Sequence, residues 1–229
     1  MTPNKTHYIG NFPLILKRHP RARHLKLRYE AKSKTALLTL PPGLSEKKAL
    51  QFAHKHHDWL QDQHQNAPAV IPLLPGNEIP FRGLDHKICH RPELPASVSR
   101  EAGCLNVCGP DAAFEMRLGN WLRKQARLNI TKMIDQLAFR PSLKPHRIMI
   151  RDTKSRWGSC SPTGVLSFSW RLVLAPEHVL DYVVCHEAAH LRELNHSARF
   201  WALVSDLSPA YETAEAWLKH FGPDLHRFG

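Results

Sequence analysis

The run from Pro176 to Leu191, PEHVLDYVVCHEAAHL, constrains the fold more than any other part of the chain. Val179, Leu180, Val183, Val184 and Leu191 make a helix here apolar around most of its circumference, as for a helix buried beneath a sheet. Pro176 stands where a first-turn residue belongs. His186, Glu187 and His190 are set into this apolar surface, where an unpaired charge is costly. At 3.6 residues per turn the two histidines lie one turn apart on nearly the same side, so their imidazoles can converge on one cation.

Glu187 falls on the same flank, where its carboxylate can reach a water held by that cation without binding the cation itself. Zinc hydrolysis divides labour in this way. The ion lowers the pKa of water from about 15.7 to roughly 7, and a carboxylate accepts and passes on the proton. With 16 histidines and 11 glutamates in the chain, H-E-x-x-H would arise in about one shuffled sequence in twenty, so its surroundings must decide.

A catalytic zinc usually takes three protein ligands and keeps one position open. His196 lies six residues beyond His190, and on a continuing helix it would point about 240° away. The helix is therefore expected to stop near Leu194, with Asn195 in the left-handed conformation. Ser197 would then cap a new helix carrying Phe200, Trp201 and Val204. Glu193, Glu212 and Glu215 are the alternative third ligands. The basic and aromatic segment from Arg151 to Ser161 can approach the site if the strand before it packs beside the helix. Arg151, Lys154 and Arg156, with Arg192, are candidate substrate-binding donors to a carbonyl or phosphate.

The rest of the chain reads as α+β. A β-rich N-terminal region with one helix is expected over residues 1–110, and a catalytic domain with the H-E-x-x-H helix packed on a small sheet over 111–229. Strands are expected at 25–29 and 36–40, joined by a turn at Lys32-Ser33-Lys34, and at 79–82, 86–90 and 104–108. Ser45 should cap a helix over 46–63, and a proline-rich connector follows at 65–75. Asp111 should cap a long helix to about Phe139, with Leu118, Leu122, Ala126, Met133 and Leu137 inward. Strands at 147–152 and 165–170 flank a turn at 161–164. A last helix starts at Ser208-Pro209 and ends at Gly222-Pro223. No internal repeat stands out.

Apolar residues make up 42% of 229 and charged residues 23%, an ordinary globular balance. No apolar stretch nears the roughly 20 residues of a membrane span, and the N-terminus does not read as a signal peptide. A cytoplasmic protein without membrane contact is the expectation. Five scattered cysteines argue against a disulfide framework and read as small buried hydrophobes. The net charge of +12 suits an anionic partner. The dense basic stretch Lys17-Arg18-His19-Pro20-Arg21-Ala22-Arg23, with Lys26 and Arg28, could touch nucleic acid weakly, and a solvated strand face explains it equally well.

Three ordered motifs, R-W-G-S-C-S at 156–161, D-Y-V-V-x-H-E-x-A-H at 181–190 and N-H-S-x-x-F-W at 195–201, closely resemble the YgjP-like metallopeptidase-domain family. RARHLKLRYE, LTLPPGLS and a helix ending HHDWL extend the likeness into the N-terminal half, with residues 65–110 matching least. The resemblance implies an α+β zincin-like domain, zinc held by His186, His190 and His196, Glu187 as catalytic base, and kinship with the SprT and WLM peptidases. Ala188 departs from the leucine usual there, a packing change that leaves the chemistry intact. Members are called metallopeptidases, and a bacterial member is described as a UTP pyrophosphatase. The expected function is thus a zinc-dependent metallopeptidase acting on a peptide substrate. The alternatives are a metal-dependent nucleoside triphosphate pyrophosphatase with a nucleotide substrate, and a basic nucleic-acid-binding module.

Overall fold

Residues 6–31, 33–137 and 140–229 are described in the computed structural model of the chain. Among them the architecture is mixed α+β, with three small sheets and six α-helices. The chain divides into two units, residues 1–70 and 71–229.

The first unit is built on period-two alternation. Its strands are β1 (Thr6–Ile9), β2 (Phe12–Arg18), β3 (Lys26–Glu30) and β4 (Thr35–Leu40), in the order β1-β2-β4-β3. Phe12, Leu14, Ala36, Leu38 and Leu40 form one buried face, and they share a core with Ala49, Ala53 and Leu60. Those last three come from α1 (Glu46–Lys55) and α2 (His57–Asn66). Ser45 caps α1 as expected, its Oγ accepting the Lys48 N–H. The single helix expected over 46–63 is instead broken at His56, whose φ of −107° leaves the helical region. The His56 ring nitrogen takes up Phe52 O at 2.9 Å, and its N–H turns back to Ala53 O. The expected turn at Lys32-Ser33-Lys34 falls partly on residue 32, outside the described residues.

The second unit holds β5 (Glu78–Phe81), β6 (Leu84–Arg91), β7 (Ser97–Glu101) and β8 (Cys104–Cys108), in the order β5-β6-β8-β7. Helix α3 (Phe114–Leu137) follows, then β9 (Arg147–Arg151), β10 (Gly158–Cys160) and β11 (Val165–Ser169), in the order β10-β11-β9. Helices α4 (Glu177–Ala189), α5 (Ala198–Leu207) and α6 (Tyr211–Leu225) complete it. Ile79, Phe81, Ile88, Leu105 and Val107 of the first of these sheets share one core with Leu118 and Leu122 of α3 and Val179 and Val184 of α4. The division therefore falls after Val70, inside the proline-rich connector, and not at residue 110. A four-stranded sheet cannot bury its apolar face alone, and α3 supplies the cover.

Several local expectations are corrected. Asp111 does not cap α3; it opens a short 3-10 turn and lies 3.1 Å from His90 Nδ1. Beyond Ala126 the fully buried line of α3 runs through Ile130 and Ile134, with Met133 and Leu137 only partly buried. The end expected near Phe139 lies outside the described residues. Helix α6 continues through Pro223 to Leu225, past the expected end at Gly222-Pro223. Of the cysteines, Cys108 and Cys185 are buried, whereas Cys89 and Cys104 are half-buried on adjacent strands with sulfurs 2.9 Å apart.

The three sheets repeat one pattern. In each, a strand is joined in parallel by a later one, and the strand between them in sequence lies antiparallel on the far side: β2, β3 and β4; β6, β7 and β8; β9, β10 and β11. A helix follows each time. The third of these helices carries His186 and Glu187.

Candidate metal centre

The burial of α4 comes from its composition. Val179, Leu180, Tyr182, Val183, Val184, Cys185, Ala188 and Ala189 are all buried, on a helix that packs against α3, α5, α6 and β10. Pro176 stands at the N-cap, one place earlier than expected.

The helix ends at Ala189, five residues before the expected stop. His190 is its C-cap, and Leu191, Arg192 and Glu193 turn back through hydrogen bonds to Ala188 O and Ala189 O. Asn195 is not left-handed; its carbonyl instead accepts the Ser197 N–H at 2.8 Å. Ser197 caps α5 as expected, accepting from Phe200 N. The short turn and the cap bring His196 back over α4.

One ring nitrogen from each of His186, His190 and His196 lies within 4.8 Å of the others. The Nε2 atoms of His186 and His196 are 3.2 Å apart. Two nitrogens held about 2.1 Å from one tetrahedral ion are about 3.4 Å apart, so this spacing fits a shared zinc-sized cation. Opposite ring nitrogens are anchored as ligands require: His186 Nδ1 to Tyr182 Oη at 3.4 Å, and His190 Nδ1 to Glu193 O at 3.0 Å. Burial, with His190 and His196 beside it, depresses the His186 pKa to about 4. Burial likewise lowers that of His190, so both rings stay neutral with lone pairs free.

Phe200, fully buried, is the floor of the cluster, with ring centroids 4.9, 4.5 and 4.7 Å from His186, His190 and His196. Trp201 flanks His186 and His196 and stacks on Tyr211, which stacks on Tyr182. Of these, Tyr182 was the legible one: it sits one turn before His186.

Glu187 is 7% exposed, and burial raises its pKa to about 7 against a lowering by Arg156. Among the described residues no hydrogen bond or ion pair reaches its carboxylate. A Cβ placed on Gly158 would stand 2.4 Å from Glu187 Cγ and 2.5 Å from its Oε1. Only glycine leaves that space, which explains the glycine of the R-W-G-S-C-S motif sterically. Three convergent imidazoles, with a buried, unpartnered carboxylate on the residue after the first, are a donor set that suits a divalent cation.

The basic and aromatic segment from Arg151 to Ser161 is partly strand: β10 lies at the edge of its sheet and packs on α4. Trp157 O and Ser161 N bond to β11, so alternation turns the amides and carbonyls of Gly158 and Cys160 toward the open edge. Of the four expected cations, Arg156 acts on Glu187, while Arg151 reaches Met149 Sδ and Lys154 acts on His226. Arg192 is exposed in the turn after α4. The alternative ligands Glu193, Glu212 and Glu215 contribute no carboxylate to the cluster.

No curated protein matches the chain. The family described as YgjP-like, metallopeptidase domain, matches residues 23–221, nearly the whole sequence and all of the site. With that span, and the motifs that build the cluster lying inside it, the chain belongs to the YgjP-like metallopeptidase-domain family.

Proposed function

We propose that the chain is a zinc-dependent metallopeptidase with a zincin-like site, in which His186, His190 and His196 hold the ion and Glu187 is the base. The observation that carries this reading is the convergence of three imidazoles within 4.8 Å, with the buried, unpartnered carboxylate of Glu187 following His186 on the same helix. Zinc, when bound, supplies Lewis acidity that acidifies water and polarises a carbonyl. Glu187 removes a proton from the attacking water and returns it to the leaving amine. Its desolvated setting makes the carboxylate basic enough for both steps near neutral pH. An extended peptide adds to the open edge of β10, pairing with the amide and carbonyl of Gly158 and Cys160. That places the scissile bond beside Glu187, because Gly158 touches it. Arg156 offers a donor to developing negative charge.

One observation favours a second reading. The Arg156 guanidinium acts on Glu187, and a nucleoside triphosphate would present phosphate to it. Product analysis separates the two: peptide fragments against pyrophosphate from UTP, each with and without chelator. The expected result is one equivalent of zinc by elemental analysis and chelator-sensitive peptide cleavage. Glu187→Gln should retain zinc and lose cleavage, and His186→Ala should lose the metal. A purified protein free of transition metal, with activity indifferent to chelator, would end the proposal.

A further inference from the structure

The first 70 residues hold 12 of the chain's lysines and arginines against 4 acidic residues, so +8 of the net +12 belongs to less than a third of the sequence. Strand register gathers part of that charge on one surface. Lys17 pairs across to Thr39, and Thr39 to Lys26; one row on, Ile15 pairs to Leu37 and Leu37 to Arg28. Pro13 pairs with Tyr8 on the edge strand β1. Residues 13, 15 and 17 alternate with Phe12, Leu14 and Leu16, so they face away from the core shared with α1 and α2.

This second face of the sheet is open. Lys17, Lys26 and Arg28 are exposed, Tyr8 is 65% exposed, and Ile15 and Leu37 lie partly buried between them. Among the described residues, none of the three cations has a carboxylate partner. The connection from β2 to β3 adds exposed Arg21 and Arg23 at the same end.

A purely solvated face would have no need of an aromatic ring and an aliphatic strip beside its cations. Four strands spaced about 4.8 Å apart make a platform about 14 Å wide, wider than the roughly 12 Å major groove of a duplex and broad enough for splayed bases. We propose that the open face of the β1-β2-β4-β3 sheet binds single-stranded nucleic acid. Lys17, Lys26 and Arg28 neutralise phosphates, and bases lie over Ile15 and Leu37 with one stacked on Tyr8.

The test is fluorescence anisotropy of the full chain with a labelled oligothymidylate or oligouridylate of about 15 nucleotides, and with a duplex of the same length. Wild type should prefer the single strand, with log K falling against log salt at a slope of about −2 or steeper. The triple variant Lys17→Glu, Lys26→Glu, Arg28→Glu should bind at least about tenfold more weakly and flatten the slope by about 2. Tyr8→Ala should weaken binding roughly tenfold and leave the slope unchanged. Unaltered circular dichroism and melting would show that both variants fold. The proposal is overturned by absent binding at low salt, by a triple variant that binds as wild type, or by duplex bound more tightly with Tyr8→Ala silent. Polyglutamate competing as well as oligonucleotide would also overturn it, pointing to an acidic protein.

Discussion

Glu187 sits where its neutral form is favoured, and this makes its ionisation readable without any assay of catalysis. In the metal-free fold its pKa is about 7, above the ordinary 4.5. The folded chain therefore keeps a proton that the unfolded chain gives up. Stability from this group is undiminished below pH 4.5, declines as pH rises toward 7, and is fully lost above it. Glu187→Gln lacks that dependence. Metal-free melting curves should coincide near pH 4.5 and separate in favour of the glutamine variant by on the order of 1–3 kcal/mol at pH 8. Bound zinc should abolish the gap. Gly158 is the neighbouring test. Its substitution by alanine meets a flexible side chain rather than backbone, so Glu187 swings aside and the fold survives at a cost of about 1–3 kcal/mol. Zinc content should be unchanged while kcat falls at least about a hundredfold. The spacing of His186, Glu187 and His190 was legible because a helix fixes it. The Gly158 contact was not, since it joins residues 29 apart in sequence.

At the scale of elements, the site depends on how α4 stops and α5 starts. Ser197 was readable as a cap because capping chemistry is local to one turn. The stop was misplaced, and Asn195 misassigned, because tertiary packing of His190 on Phe200, at 4.5 Å and nearly stacked, rewards ending the helix at once. Phe200 touches all three histidines and is fully buried. Phe200→Ala should cost about 3–5 kcal/mol of stability. It should also weaken zinc binding, measured by competition with a chromophoric chelator, far more than it disturbs helix content. A loss of stability with unchanged zinc affinity would show that the floor only fills space.

Across the whole molecule, the division after Val70 and the repeated strand pattern were the least legible features. The connector could be read from its composition, but the sheet of β5 to β8 was assigned to the wrong side because its partner, α3, is named by contact and not by sequence. Ile71 is tied to the end of the chain by hydrogen bonds from its N–H to Arg227 O and from the Gly229 N–H to its own carbonyl. Limited proteolysis should therefore cut within 67–70 and release a fragment reaching the C-terminus, seen by mass spectrometry and still able to take up metal. No helix among the described residues is long and apolar enough to cross a membrane. The sequence by itself determined what short-range geometry controls: two histidines and a glutamate on one helical flank, the serine caps, the alternation of most strands and the family. Tertiary structure decided the return of His196, the glycine niche for Glu187, the open edge of β10 and the boundary between units. Each of these rests on contacts between residues far apart in the chain, which burial selects and local spacing does not encode.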